Sequence, residues 1–320
     1  MRFKFLTHFA VIATLLLGAA AQAQPYPNRP VKLIVAFAPG TGSDILGRFV
    51  AARMSEALGQ PVVIENRAGA GGVIGSESVA KSAPDGYTLL LGTNATLITS
   101  PLLAAQPPYQ LEKSFTPIGG VARTSMVMVT GNRPDSPRDL KELIGRAPGA
   151  SFSSAGAGTI GHLTSEMLLR KLGLKMVHVP YKGSAQSLND IARGEVLFGS
   201  DTPVATLGLI RGGQLRAIGV TGESRLSALP DVPTFAESGL RDMKLYAWWG
   251  IYGPAGTPPA VVDTVGKALG KAMADPESRK VMARMELESF PYTAAQLAEW
   301  GRDDFRNWQQ FLSTTGIKIE

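Results

Sequence analysis

The stretch Val31-Lys32-Leu33-Ile34-Val35-Ala36-Phe37-Ala38-Pro39-Gly40-Thr41-Gly42-Ser43-Asp44-Ile45-Leu46-Gly47-Arg48-Phe49-Val50 decides the fold. Residues 31–37 are apolar, β-rich and of buried-strand length. From Asp44 onward Ile45, Phe49, Val50, Met54 and Leu58 recur at helical spacing, which predicts a helix over 44–58. Between the two, Pro39-Gly40-Thr41-Gly42-Ser43-Asp44 turns the chain from strand to helix. Such a turn leaves backbone N–H groups unpaired at the positive end of a helix, and glycines there let a ligand approach the backbone. A second turn of the same kind, Ser154-Ala155-Gly156-Ala157-Gly158-Thr159, lies further along. Two anion-seeking helix ends in one chain point to a two-lobed clamp for a small carboxylate.

Working outward, strands are predicted at 61–65, 87–92, 125–130, 151–154, 176–179, 196–199 and 215–220. Helices are predicted at 70–83, 137–144, 160–172, 185–192, 203–211, 260–274, 276–285 and 294–312. Strands alternating with helices at these lengths predict parallel βαβ units. No low-complexity linker divides the chain, which fits two lobes joined by more than one crossing strand better than independent beads.

The chain has 320 residues, long for one core and comfortable for two lobes. It begins Met1-Arg2-Phe3-Lys4, runs through a mostly apolar segment at 5–21 and reaches Ala21-Gln22-Ala23, the pattern of a secretory leader cut before Gln24. The apolar core is shorter than the roughly 20 residues of a membrane anchor. With no cysteine there are neither disulfides nor a lipoprotein anchor, so a free protein of a bacterial periplasm is expected. Loss of Arg2 and Lys4 with the leader would take the formal charge from +6 to +4. The remaining cations are scattered, a solvated basic surface that gives no ground for nucleic-acid binding.

Motifs for chemistry are sparse. Gly156-x-Gly158-x-x-Gly161 matches the dinucleotide fingerprint, but the following strand leads into Pro180-Tyr181-Lys182 without the acid that would hold a ribose, and an exported chain has little access to NAD. Pro39 to Asp44 lacks the Lys-Ser/Thr end of a P-loop. Ser78-x-x-Lys81 has penicillin-binding spacing without its companion motifs. His162 and Glu166, one helical turn apart, are too few ligands for zinc. No catalytic residues, metal or cofactor are therefore expected. Asp44 either caps its helix or props the loop so that Gly40, Thr41 and Gly42 face a ligand. Thr93-Asn94 and Ser200-Asp201-Thr202 sit at the carboxyl ends of predicted strands, where ligands of open α/β sheets bind, although such groups also satisfy local turns. Tyr181 and Trp248-Trp249 read either as pocket walls or as buried aromatics near a hinge.

Taken in order, Tyr26-Pro27-Asn28-Arg29-Pro30, 37–44, 59–67 (GQPVVIENR), 83–90 (APDGYTLL), Gly158-Thr159 with His162-Leu163, 177–183 (VHVPYKG), 229–234 (LPDVPT) and 254–258 (PAGTP) resemble the periplasmic substrate-binding proteins of tripartite tricarboxylate transporters, the Bug receptors. The resemblance covers essentially the whole chain after the leader. It implies a type II periplasmic binding protein fold, two α/β lobes joined by a hinge, with 24–124 and 244–320 in the first lobe and 125–243 in the second. It also implies a receptor that captures a small carboxylate as a monomer and hands it to membrane permease subunits. Residue by residue, it implies ligand contacts from Gly40, Thr41, Gly42 and Asp44 in the first loop and from Ser154, Ala157, Gly158 and Thr159 in the second. Thr93, Asn94 and Asp201 fall at the specificity end. Thr41 departs from a common glycine, Leu197 from a frequent acid, and Ser200 from a common phenylalanine, which removes an aromatic wall. A sensor that docks a signalling partner, or a periplasmic enzyme using the same cleft, is the alternative.

Overall fold

A computed structural model describes residues 26–315 and 317. The expected leader and its cut before Gln24 lie outside them. The chain opens with β1 (Val31–Val35), α1 (Gly42–Leu58), β2 (Val62–Asn66), α2 (Val73–Ala80), β3 (Thr88–Thr93), the short helices α3 (Ser100–Leu103) and α4 (Leu111–Ser114), and β4 (Phe115–Ser125). It continues with β5 (Val127–Gly131), α5 (Leu140–Arg146), β6 (Ser151–Ser154), α6 (Ile160–Lys171), β7 (Val177–Pro180), α7 (Ser184–Arg193), β8 (Phe198–Asp201), α8 (Pro203–Arg211) and β9 (Leu215–Val220). It returns through β10 (Tyr246–Pro254), α9 (Pro259–Ala274), α10 (Pro276–Arg284), β11 (Glu288–Ser289) and α11 (Ala294–Thr315).

Two sheets result, one in the order β11-β4-β10-β3-β1-β2 and one in the order β7-β6-β8-β5-β9. Each is the centre of an α/β lobe. The chain steps from the first sheet to the second at Met126, between β4 and β5, and comes back between β9 and β10. β1 runs parallel to β2 and β3, with Leu33 opposite Ile64 and Leu89, and β6 runs parallel to β7 and β8. Those are the parallel units that the alternation predicts. The sheets as wholes are mixed, because β10 is antiparallel to β3 and β4, and β5 is antiparallel to β8 and β9.

β4, β10 and the two-residue β11 are the strands that sequence prediction passes over. β4 carries Pro117, Gly119 and Gly120, residues that ordinarily weaken a strand. Gly120 is nonetheless required, since a Cβ there would sit 2.2 Å from the carbonyl oxygen of Phe290. The predicted helix over 70–83 also differs. A 3-10 turn at Ala70–Gly72 precedes α2, with Gly71 and Gly72 at φ 63° and 94°, values that an α-helix cannot continue through.

The first lobe's core lies on both faces of β1 and β3, where Leu33, Ile34, Leu89 and Leu90 lose all contact with solvent. In the second lobe the period of two is plain along β5: Val127 and Val129 pack with Leu188 and Ile191, while Met128 packs with Phe152, Leu168 and Phe198 on the other face. Each such side chain contributes about 1.5–3 kcal/mol of burial, so each lobe is a rigid base for the loops at its strand ends. Among the described residues no helix is long and apolar enough to cross a membrane.

Candidate functional site

The site begins with how the two strand-to-helix turns are held. Thr41, in extended backbone, caps α1: its Oγ1 donates to Ala38 O (2.9 Å) and accepts from Asp44 N (3.3 Å). Asp44 Oδ2 accepts from Gly40 N (2.9 Å) and Arg48 Nε (3.1 Å), and its Oδ1 accepts from Asn66 Nδ2 (2.9 Å). Burial pushes the Asp44 carboxyl up, but hydrogen bonds from Arg48, Gly40 and Asn66 outweigh it and hold the group below the usual carboxylate range. Asp44 is therefore an ionised strut that ties the loop to α1 and β2.

The second turn is held in a parallel way. Thr159 caps α6, its Oγ1 donating to Gly156 O (2.7 Å) and accepting from His162 N (3.4 Å). Gly158 N donates to His162 Nδ1 (3.1 Å), which fixes that ring as the neutral tautomer with its proton on Nε2. His162 stacks on His178 with ring centroids 3.9 Å apart, and His178 Nε2 lies 2.8 Å from Ser154 Oγ. Burial, with the neighbouring His178 adding to it, lowers His162 to about 3, and burial lowers His178 to about 4. The two rings are a neutral support beneath the glycine-rich loop. Glu166 Oε1 stands 3.9 Å from His162 Nε2, and among the described residues no group of side chains could hold a metal.

Between the lobes these turns enclose a cavity of about 70 Å³. Four helices begin at its wall: α1 through Thr41, Gly42 and Ser43, α6 through Thr159, Ile160 and Gly161, α7 through Ser184, and α8 through Thr202. First-turn N–H groups have no acceptor within their own helix, and each helix start carries roughly half a positive charge. Among the described residues lining the cavity there is no Lys, Arg or His. What this wall offers an anion is peptide dipoles and hydroxyls.

Of the residues expected from sequence, Thr41, Gly42, Thr93, Asn94, Thr159 and Asp201 line this cavity, and Gly40, Asp44, Ser154, Ala157 and Gly158 do not. The Ser154 hydroxyl is engaged by Gly156 N, Gly156 O and His178. Gly158 faces the other lobe, its carbonyl accepting from Thr99 Oγ1 (2.7 Å). Trp249 lines the cavity, its Nε1 donating to Ser43 Oγ (2.8 Å), whereas Trp248 points to the opposite face of β10 and donates to Asp304 (2.7 Å). Tyr181 is turned away, its hydroxyl donating to Asp190 (2.7 Å), and Leu197 packs into the second lobe's core. Ser184, Phe37 and Met126 are lining residues that sequence reasoning missed. A glycine before the predicted helix at 185–192 was the available signal for Ser184. For Phe37 the signal was its place at the carboxyl end of the predicted strand over 31–37, and nothing local marked Met126.

The lobes are in contact around this cavity. Besides Thr99 and Gly158, α1 meets the start of α8 so closely that a Cβ on Gly42 would lie 2.5 Å from Thr202 Oγ1. Asp201 Oδ1 accepts from Thr202 N (2.7 Å) and Thr202 Oγ1 (3.4 Å).

Comparison with known proteins fits this architecture. Residues 46–317 match the family model described as tripartite tricarboxylate transporter family receptor. A UPF0065 protein of Bordetella pertussis is 37% identical over 99% of this chain and 98% of its own length. The structure of the periplasmic binding protein BugD is 34% identical, covers 92% of this chain and 100% of its own, and superposes with a TM-score of 0.87. An R. palustris protein solved with adipate is 29% identical over 92% of this chain and 99% of its own, with a TM-score of 0.88. With its two mixed-sheet lobes, its capped helix starts around one interlobe cavity and a family match over most of its length, the chain belongs to the tripartite tricarboxylate transporter receptor family of periplasmic solute-binding proteins.

Proposed function

We propose that this chain captures a small carboxylate between its lobes in the periplasm and presents the closed form to the membrane subunits of a tripartite tricarboxylate-type transporter, without turning the ligand over. The carrying observation is the convergence of four helix N-termini on one cavity whose wall, among the described residues, holds no cation. Such a wall suits an anion, and the carboxylate sits against the first-turn amides of α1 at Gly42 and Ser43 and of α6 at Ile160 and Gly161, beside the capping Thr41 and Thr159. Asp44 acts through Gly40, and Ser154, Ala157 and Gly158 shape the second loop. Thr93, Asn94 and Asp201 meet the rest of the ligand. The adipate held by the R. palustris relative belongs to the same chemical class.

Closure supplies selectivity, because a ligand that bridges both loops stabilises the apposed lobes and one that touches a single lobe does not. The hinge lies where the chain crosses between sheets, giving a first lobe of 24–124 and 244–320 and a second of 125–243. The mature monomer begins at Gln24. Thermal melting of the mature protein against mono-, di- and tricarboxylates, aromatic acids, acidic amino acids and NAD tests the proposal. A ligand at about 100 times its dissociation constant adds about 2.7 kcal/mol and raises Tm. A rise with a subset of carboxylates is expected. A rise with NAD alone, or none with any carboxylate, overturns the proposal.

A further inference from the structure

The cavity contains more than anion-seeking amides. Asn94 is 1% exposed and lines the cavity, and its Oδ1 finds no hydrogen-bond partner among the described residues. Its amide orientation is fixed, because Nδ2 donates to the carbonyl oxygen of Tyr246 (2.8 Å), a group that accepts only. Oδ1 is thus a buried acceptor in need of a donor. Asp201 adds a carboxylate to the same wall, half-buried, with hydrogen bonds from Thr202 and Ser184 but, among the described residues, no Lys, Arg or His beside it in the cavity. Ser200, 3% exposed, lines the wall as well, and its hydroxyl also finds no partner among the described residues.

A buried acceptor without a donor is costly, and a desolvated carboxylate without a cation more so. The complementary ligand therefore carries donors and positive charge at one end and a carboxylate at the other. We propose that the ligand is an amino carboxylate, its ammonium held by Asn94 Oδ1 and the Asp201 carboxylate while its carboxylate meets the helix N-termini. The inference rests on the receptor proposal above and narrows its ligand class. A second carboxylate in place of the ammonium would set anion against anion at Asp201 and leave Asn94 Oδ1 unpaired. A hydroxyl brings one donor and no charge, too little for both acceptors. An ammonium brings three N–H donors and the balancing charge. Burial raises the Asp201 pKa, and the hydrogen bonds from Ser184 and Thr202 only partly offset it.

The test is calorimetric titration of the mature wild-type protein near neutral pH with matched sets that differ at one group. The sets are alanine, lactate and propanoate; β-alanine, 3-hydroxypropanoate and malonate; and 4-aminobutanoate, butanoate and succinate. In the set that binds tightest, the amino member is expected to bind about 10-fold or more tighter than its partners. Asp201→Asn is expected to reduce binding of that amino member about 10-fold more than it reduces binding of the hydroxy or alkyl member of the same set. The ranking in the wild-type protein stands without any variant. A dicarboxylate that binds tightest, or an Asp201→Asn protein that keeps its affinity for the amino member, overturns the ammonium assignment and leaves the receptor proposal in place. Failure of every member to bind overturns the ammonium assignment, and the receptor proposal falls with it only if no carboxylate of the melting panel raises Tm.

Discussion

Gly42→Ala isolates lobe closure from folding. Gly42 is the first residue of α1, without a left-handed φ, so alanine suits its backbone and improves helix propensity. The nearest neighbours of the new methyl all belong to Thr202 and Val204 of the other lobe. The closest is Thr202 Oγ1 at 2.5 Å, followed by Val204 Cβ at 3.6 Å and Thr202 Cβ at 3.7 Å. The first distance is far inside van der Waals contact, and a β-branched threonine has few rotamers through which to escape. Overpacking of this kind costs about 1–3 kcal/mol, and here the cost falls only on the closed state. Ligand affinity by calorimetry should therefore fall by roughly 5- to 150-fold, at about 1.4 kcal/mol per decade, while the Tm of the unliganded protein stays within about 2 °C of wild type. Adding Thr202→Ala removes Oγ1 and leaves contacts of 3.6 Å and 3.7 Å, ordinary packing distances. The double variant should recover most of the lost affinity, a coupling that a double-mutant cycle measures directly. Unchanged binding in Gly42→Ala, or no recovery in the pair, would refute the claim that α1 and the start of α8 meet in the liganded form.

Asp44→Ala removes the shared acceptor of Gly40 N, Arg48 and Asn66, and with Arg48 56% exposed the loss should be about 2–3 kcal/mol, read as a lower midpoint in urea. A stable variant that merely fails to bind would make Asp44 a ligand contact instead of a strut. Thr99→Val deletes the interlobe bond to Gly158 O and should weaken ligand binding by about 0.5–1.5 kcal/mol; unchanged calorimetric affinity would remove that bond from closure. Burial lowers His162 from 6.5 when unfolded to about 3 in the fold, so below pH 6.5 the unfolded chain binds the extra proton. Stability from this group is full above pH 6.5 and falls as the pH drops, by about 2 kcal/mol at pH 5. His178 acts in the same direction, and the raised Glu166 and Asp304 carboxyls oppose it. NMR titration should show both imidazoles neutral at pH 5, and a midpoint near 6.5 for His162 would refute its burial against Gly158.

The strand-turn-helix units were legible because their signals are local. The apolar run of β1, the glycines of the turn and the helical spacing of α1 lie within one stretch of chain, and the same holds for β6 and α6. β4 and β10 were not legible, because their place in the first sheet is set by pairing with each other across a long sequence separation, against the local preferences of Pro117, Gly119 and Gly120. At the site, Thr41, Gly42, Thr159 and Asp201 were visible as helix starts and strand ends. Ser154 was singled out as a hydroxyl beside glycines, and only the fold reveals that His178 and the backbone of Gly156 already engage it. Trp248 and Trp249 look alike in sequence, yet the period of a strand sends one to Asp304 and the other to the cavity. The unpaired Oδ1 of Asn94 is a property of assembly, since it depends on Tyr246, more than a hundred residues away.

The most direct measurement is a crystal structure of the mature protein with the tightest-binding carboxylate from the titration sets. The account predicts the ligand inside the interlobe cavity, its carboxylate oxygens within about 3 Å of first-turn amides from both α1 and α6. A ligand bound outside that cavity, or a carboxylate held by one lobe alone, would contradict it.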